Sequence, residues 1–380
     1  MDTTDPAREP TPTPPPPEAR APLSLIAVAV PSLTVLAVLA SLYTLYFARA
    51  FLLPIAFALL FNFLLSPAVR ALARLHVRPP IGAGILVLAT VGGITLGAVS
   101  LARPVQDWVT RAPATFTTAQ ERLRTLMRPI ERVKATAEQV ERVATGGARR
   151  SPEVVVRGPT LTSRIFGTTQ RLIAALLQMV ILLYFLLASG DLFLQKVIKL
   201  LPNVREKQTA VRIARETEQS ISTYLLTALM VNIAEGVLLT LVLSLLGMPN
   251  PALWGVLTVV LEFIPYIGAT IMTVVLGIAA ITSYDSVGQA LLVPASFVVI
   301  NLIQGNLVSP LLLGNRLSLN PVALFVGLAF WFWIWGIAGA FVAVPLMAVF
   351  KIVCDHVESL RPIGEFLGQR DERERRAIVR

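Results

Sequence analysis

Long apolar runs are the feature that most limits what this chain can fold into. Residues 23–47 contain no charged side chain. A helix rises 1.5 Å per residue, so this run exceeds the roughly 20 residues needed to cross a hydrocarbon core about 30 Å thick. Further apolar runs occupy residues 51–67, 81–102, 165–189, 222–246, 249–283, 287–313 and 321–350. The pattern predicts an all-α, polytopic helical membrane bundle of about eight spans.

The composition supports a membrane protein and argues against soluble classes. Hydrophobic residues make up 55% of the 380 residues and charged residues 15%, and the mean hydropathy is +0.70. These charges are too few to form the polar shell of a soluble domain. The net charge of +10 does not indicate nucleic-acid binding, because the basic residues flank apolar runs, where anionic headgroups attract them.

Cysteine and histidine are too scarce for the common metal and redox sites. The chain has one cysteine, Cys354, and two histidines far apart in sequence, His76 and His356. An intrachain disulfide and a thiolate zinc site are therefore excluded. The sequence also lacks a phosphate-binding loop and a nucleophile motif. We therefore expect no metal, no cofactor and no enzymatic activity.

Changes in composition divide the chain into five segments. Residues 1–22 are rich in proline and threonine and predict a disordered tail. Residues 23–102 hold the first three spans, and residues 103–164 form a charged insertion outside the bilayer. Residues 165–351 form the remaining transmembrane core, and residues 352–380 form a charged tail.

Basic residues predict the orientation of the spans. Arg70, Arg74 and Arg78 follow the second run, and lysines and arginines crowd residues 190–220. Because positively charged loops stay in the cytoplasm, both groups are expected there. Both termini are then expected to be cytoplasmic as well.

The insertion carries a heptad pattern with charged residues between its apolar positions. Steps of four and three predict an amphipathic helix or hairpin outside the bilayer, interrupted at Pro129. It could form an oligomer contact or cover a vestibule, or it could pack on the protein's own helices or on headgroups. The apolar positions are Ala119, Leu123, Leu126, Ile130, Val133, Ala137, Val140 and Ala144.

Two glutamates lie inside apolar runs, where an ionised side chain costs about 2.5 to 3.5 kcal/mol at the bilayer centre. Glu235 lies in mid-span, with Asn232 about one turn earlier. Glu262 directly precedes a segment that contains Pro265 and Gly268. Proline and glycine predict a broken helix, which is tolerated in a membrane only where protein or water covers it. Glu235 could alternatively be structural, bonded to Asn232 or to a neighbouring helix.

A second polar group lies in the run 287–313. Together with the first group, it predicts two broken or re-entrant helices whose polar residues form two halves of one site, as transporters use near the bilayer midplane. The polar side chains of this second group are Asn301, Gln304, Asn306 and Ser309, beside the helix-breaking residues Gly305 and Pro310.

Three segments of the chain together resemble the AI-2E family of transporters. They read GMPNPALWGVLTVVLEFIPYIGA at 247–269, QGNLVSPLLLGNRLSLNPVALFVGL at 304–328 and WGIAGAFVAVPLMAVFKIVCDH at 335–356. The resemblance implies seven or eight spans in the bacterial inner membrane, with an extramembrane insertion after the third. It implies export of small polar molecules such as autoinducer-2, exchange of sodium or lithium for protons in some relatives, and a pentameric homo-oligomer.

One departure from the family pattern affects the expected ion coupling. The FIPYIG motif falls on Phe263–Gly268, and Glu262 stands where relatives often have asparagine. Gln304 stands where relatives commonly have glutamate, and an amide cannot carry a coupling proton. The resemblance then implies either that Glu262 has taken over this role or that the protein is not proton-coupled.

Three functional hypotheses follow. The first is a secondary transporter or facilitator that exports a small hydrophilic, autoinducer-2-like molecule across the lipid bilayer. The second is a Na⁺(Li⁺)/H⁺ antiporter in which Glu262 and Glu235 change protonation. The third is a non-transporting scaffold that assembles through the heptad segment. The predicted pathway residues are Glu262, Glu235, Asn232, Asn301, Gln304, Asn306 and Ser309, and the predicted hinge residues are Pro265, Gly268, Gly305 and Pro310.

Overall fold

The computed structural model describes residues 21–108, 110, 161–190, 192, 195, 196, 199, 203–313 and 319–368. The predicted heptad segment at 119–144 and the end of the charged tail lie outside these residues. The described chain is helical, and its one β-bridge joins Leu319 to Gly368.

The first of two units ends at residue 49, and its main described element is the helix α1, Ala21–Phe47. Most of its side chains from Pro31 onward are exposed, including Leu36 and Leu39. A helix that is apolar on all sides and exposed in the isolated chain is suited to a lipid environment.

The second unit begins at residue 50, one residue after the start of α2, and contains the other described helices. Its helices are α2 (Arg49–Arg74), α3 (Pro79–Trp108), α4 (Leu161–Ser189), α5 (Val204–Leu245), α6 (Pro251–Leu261), α7 (Ile267–Ser283), α8 (Val287–Ile303), α9 (Ser309–Leu313), α10 (Pro321–His356) and α11 (Arg361–Leu367). Among the described residues, six helical stretches are long and apolar enough to cross a membrane. The expected all-α membrane bundle is confirmed.

Helices α2, α3 and α4 share an apolar core in which Ala58, Ala83 and Leu183 are almost fully buried. The far end of α3 contacts a different part of the unit, because the ring of Trp108 packs edge-on against that of Trp254 on α6 at 4.9 Å. The end of α3 and the start of α6 therefore lie at the same end of the bundle.

Helix α5 is the longest element and crosses α6 at a pair of glycines. Its 42 residues span about 63 Å, roughly twice the hydrocarbon thickness. A Cβ added at Gly236 would lie 2.6 Å from the carbonyl oxygen of Gly255, and one added at Gly255 would lie 2.5 Å from that of Gly236. The two backbones touch at this crossing, which only residues without a side chain allow.

Helices α6 and α7 form a hairpin that returns to its starting end. The chain turns at residues 262–266, where Tyr266 has φ 63°. The Tyr284 hydroxyl after α7 donates to the Leu246 carbonyl before α6, at 2.9 Å. The sequence predicted a broken or re-entrant helix here, and the structure has the re-entrant form, a hairpin whose two ends this hydrogen bond joins.

Helix α10 also folds back on itself. Gly336 interrupts it with φ 66° and ψ −147°, in a region essentially restricted to glycine. A straight helix of 36 residues would separate its ends by about 54 Å. Instead, a Cβ at Gly327 would lie 2.6 Å from the Met347 sulfur, and the Asn320 amide donates to the carbonyl of Leu367, beyond the other end, at 2.8 Å.

The two hairpins enter the bundle from opposite ends and meet at their tips. The α10 hairpin opens where His356 pairs with Glu216, in the first third of α5, at 3.2 Å, whereas the α6–α7 hairpin opens beside the end of α5. Ile264 at the first tip packs with Leu328 and Ala340 of α10 in one buried cluster. The fold therefore places two chain reversals inside the bundle, in contact with each other.

The predicted break at Gly305 and Pro310 is not a break. Residues Gln304–Val308 form a π-helical turn between α8 and α9, and the helix continues to Leu313. Pro310 lacks an N–H and cannot complete a regular α-helical ladder. A wider turn before it, with the Ser309 N–H bonded to the Gln304 carbonyl, accommodates the proline without separating the two helices.

We predict that Gly236→Ala and Gly255→Ala lower the melting temperature of the purified protein in detergent, because the new methyl group collides with backbone. Overpacking of this kind costs about 1 to 3 kcal/mol. Gly277→Ala on α7 is the matched control, since a Cβ there meets nothing within 4 Å. Equal melting temperatures for all three variants would contradict the close crossing.

We also predict that Gly336→Ala destabilises the α10 hairpin by about 1 to 3 kcal/mol, although a Cβ there has free space. The cost comes from the backbone conformation alone. Gly305→Ala is the control, because its site is equally open and its backbone is helical. Protease accessibility or hydrogen exchange across 321–356 measures the difference, and unchanged protection in Gly336→Ala would refute the assignment.

Candidate functional site

One amide links the two intramembrane glutamates. The Asn301 Nδ2 donates to Glu235 Oε1 at 3.2 Å and to Glu262 Oε1 at 3.1 Å. The three side chains come from α5, from the end of α6 and from α8. Residues separated by up to 66 positions therefore converge on a single polar cluster, called here the carboxylate cluster.

The carboxylate cluster lies near the middle of the apolar layer. Glu235 precedes the end of α5 at Leu245 by ten residues, and Glu262 follows the start of α6 at Pro251 by eleven. Each is about 16 Å along its helix from the same end of the bundle, close to half of the roughly 30 Å hydrocarbon thickness.

Local structure explains why these residues meet. Glu235 immediately precedes Gly236, so the glycine crossing holds it against α6. Glu262 caps the C-terminus of α6, where the chain leaves the helix towards the hairpin tip. In the turn that follows, the amides of Ile264 and Gly268 donate to backbone carbonyls at 2.9 Å, which keeps the reversal satisfied without water.

The carboxylate cluster is rich in acceptors and poor in donors. Glu235 is 3% exposed, and its Oε2 has no hydrogen-bond partner among the described residues. The ion pairs found in the described part of the chain include neither glutamate. A buried carboxylate needs a proton, a cation or hydrogen-bond donors to offset its lost hydration. The arrangement is therefore suited to hold a proton, a cation or a ligand with hydroxyl or amine donors.

The other predicted pathway residues lie around this cluster without all joining it. Asn232 is buried, and its Nδ2 makes a long contact of 3.5 Å with the Val259 carbonyl on α6. Asn306 donates to the Leu302 carbonyl of its own helix at 2.9 Å and is exposed. Gln304 and Ser309 are half-buried, and their side chains are not bonded to either glutamate.

Among the predicted hinge residues, Pro265 and Gly268 lie in the first hairpin tip. A Cβ at Gly268 would overlap the Leu261 carbonyl oxygen, so the tip requires glycine there. Gly305 and Pro310 lie in and after the π turn, about one turn or more beyond Asn301.

Sequence reasoning missed the second hairpin, which covers the first tip. Gly336, where the chain reverses, was not among the predicted hinge residues. A signal was present, because the apolar run 321–350 is longer than one crossing needs. A glycine near the middle of such a run is compatible with a reversal.

In the part of the chain that the structure describes, no group of three or more histidine, cysteine, aspartate or glutamate side chains is placed to hold a metal ion. Cys354 is buried, and His356 contacts Glu216 and the Ile352 carbonyl.

Comparison with known proteins identifies the group to which the chain belongs. The family model described as AI-2E family transporter matches residues 35–359. The AI-2 transport protein TqsA of Escherichia coli K12 is 24% identical over 323 residues, which cover 84% of this chain and 90% of that protein. The putative transport protein YhhT of the same organism is 26% identical, covering 82% of this chain and 86% of YhhT.

A putative transport protein of Borreliella burgdorferi is 31% identical over 210 residues. That match spans 54% of this chain and only 56% of the relative. The family match covers most of the described helices, including both hairpins and all three residues of the carboxylate cluster. The chain belongs to the AI-2E family of transporters, and its role is in membrane transport.

Proposed function

We propose that the protein is a secondary transporter or facilitator that exports a small hydrophilic molecule of the autoinducer-2 kind. The observation that carries this proposal is the bridging of Glu235 and Glu262 by Asn301, near the middle of the apolar layer. A polar cluster at that depth is expensive, and it is the arrangement with which transporters bind solutes at a helix break. The similarity to TqsA, an AI-2 transport protein, supports the solute class.

The acceptor-rich cluster favours a solute with several hydrogen-bond donors. Two carboxylates and one amide offer such a solute oxygen acceptors. Ile264, two residues after Glu262, packs with Leu328 and Ala340 of the second hairpin. A small separation of the two hairpin tips would open the carboxylate cluster to one end of the bundle or to the other. Alternating access would then require movement of the hairpins about an otherwise fixed bundle.

The proposed orientation places the open end of the α10 hairpin in the cytoplasm. Arg70 pairs with Glu218 and His356 with Glu216, so the basic end of α2 and the end of α10 lie beside the polar first third of α5. Clustered basic residues favour the cytoplasmic side. Export then begins at this end of the bundle.

We predict that Asn301→Leu lowers solute flux about tenfold or more, because it removes the donor shared by both carboxylates, and hydrogen bonds to charged groups contribute about 1.5 to 3 kcal/mol. Asn306→Leu is the matched control on the same helical stretch, since Asn306 bonds only to its own helix. Flux of autoinducer-2 and other small polar solutes into inside-out vesicles provides the measurement. Greater loss in Asn306→Leu than in Asn301→Leu would refute this site.

A second candidate, cation/proton antiport, is favoured by one specific feature of the carboxylate cluster. Both glutamates accept from the one amide group of Asn301, and the second oxygen of Glu235 has no partner among the described residues. Like charges this close disfavour simultaneous ionisation. A site that accepts either one proton or one Na⁺ has the property that exchange requires.

For this second candidate we predict that Glu262→Gln and Glu235→Gln each abolish Na⁺ movement driven by a pH gradient in proteoliposomes. Solute flux measured in parallel separates the two functions. Loss of Na⁺ movement with solute flux intact supports antiport, and loss of solute flux with no Na⁺ movement in the unmodified protein supports export alone. If neither substitution changes any flux, the carboxylate cluster is not the transport site.

A further inference from the structure

A polar cavity lies between α2 and α5, away from the carboxylate cluster. Its volume is about 460 Å³, and its lining includes Arg70, Arg215, Glu218 and Ser222, together with Pro67 and Leu226. Leu226 precedes Glu235 by nine residues, which is two and a half turns of a helix, so the two point to opposite faces of α5. This cavity, called here the α2–α5 cavity, is therefore separate from the proposed transport site.

The lining of the α2–α5 cavity changes from charged to apolar with depth. Arg70 and Glu218 are the first charged residues beyond the apolar parts of α2 and α5, and they pair at 2.5 Å. Because charges avoid hydrocarbon, this ion pair marks the boundary of the apolar layer. Pro67 lies about 4.5 Å deeper along α2, and Leu226 lies about 12 Å deeper along α5, with Ser222 between the charged and apolar levels.

The charge of the cavity is positive. Glu218 matches Arg70, whereas Arg215 makes no ion pair or hydrogen bond among the residues that the structure describes. A neighbouring cavity of about 590 Å³ shares Arg215 and extends outward past Lys207 and Arg212. Its one acidic residue among the lining, Glu216, faces His356 at 3.2 Å. Among the described lining residues of the two cavities, four are cationic and two are acidic, so the charge of the groove is positive.

We propose that the α2–α5 cavity binds the headgroup of an anionic glycerophospholipid, with Arg215 and Arg70 on the phosphate and Ser222 near the glycerol. Arginine suits phosphate because its fork of donors matches two oxygens. Basic pockets between helices at the cytoplasmic surface are sites where anionic lipids bind. The proposal is independent of the transported solute.

The depth profile favours a lipid over a soluble phosphate. A free phosphate or sugar phosphate gains nothing from Pro67 and Leu226, whereas the upper part of an acyl chain buries apolar surface there. Ser222 is 4% exposed, so its hydroxyl lies within the protein rather than in bulk solvent. From the membrane surface inward, the cavity presents charged groups, then a hydroxyl group and then apolar surface. A phospholipid presents its phosphate, glycerol and acyl chains in the same order.

The test measures binding of dioctanoyl phosphatidylglycerol to the full-length protein in a neutral detergent, by native mass spectrometry. Dioctanoyl phosphatidylcholine, glycerol phosphate and inorganic phosphate are the comparison ligands. We expect phosphatidylglycerol to bind most tightly. Arg215→Gln should weaken it about fivefold, the contribution of one cation near a membrane surface, and Glu218→Gln should strengthen it, because the substitution releases Arg70.

Arg74→Gln is the matched control. It removes one cation from the end of α2 that also carries Arg70, but Arg74 does not line the cavity. Thr223→Leu is a second variant; it fills the cavity without changing charge and should also weaken binding. Melting temperatures of all variants check that each is folded.

Three results would overturn the proposal. The first is equal binding of phosphatidylglycerol and phosphatidylcholine. The second is equal weakening by Arg74→Gln and Arg215→Gln, which indicates only diffuse attraction. The third is tight binding of glycerol phosphate or inorganic phosphate that equals that of the lipid, which indicates a soluble anion site. These lipid-binding outcomes do not depend on whether Asn301→Leu changes solute flux, so the two proposals are tested separately.

Discussion

Backbone amides and carbonyls have no partners in hydrocarbon, and the architecture depends on how the chain satisfies them where it reverses. The α6–α7 tip meets this constraint with local hydrogen bonds, such as that from the Ile264 amide to the Leu261 carbonyl at 2.9 Å. The α10 tip uses Gly336, whose backbone conformation is closed to other residues. Each tip then shields the other from lipid through the cluster around Ile264 and Leu328.

The shielded tips create the conditions for the carboxylate cluster. Glu262 stands at the end of α6 because the chain turns there, and Glu235 reaches it because Gly236 and Gly255 let α5 and α6 touch. Asn301 on α8 completes the cluster from a third helix. A residue with a side chain at either glycine would move the two carboxylates apart. Packing and polar chemistry are thus coupled at one point of the bundle.

Charged residues are concentrated in two separate parts of the bundle. Acidic groups occupy the interior, where Glu235 and Glu262 share one donor, and basic groups line the α2–α5 cavity at the edge of the apolar layer. The long helix α5 carries both sets on opposite faces. Because α5 is longer than the hydrocarbon layer is thick, its polar part reaches Arg70 of α2 and His356 of α10. These contacts connect the three helices at the polar end of the bundle.

The sequence by itself determined the membrane environment, the helical class and the two costly glutamates, because these follow from local hydropathy and from the price of an unpaired charge in lipid. It also pointed to the break after Glu262, since Pro265 and Gly268 act locally. Only the tertiary structure decided that 249–283 and 321–356 are hairpins, that Gly305 and Pro310 leave the helix continuous, and that Asn301 rather than Asn232 bonds Glu235. Those outcomes depend on contacts such as Tyr284 with Leu246 and Gly236 with Gly255. Residues far apart in the chain make these contacts, and no local pattern encodes their meeting.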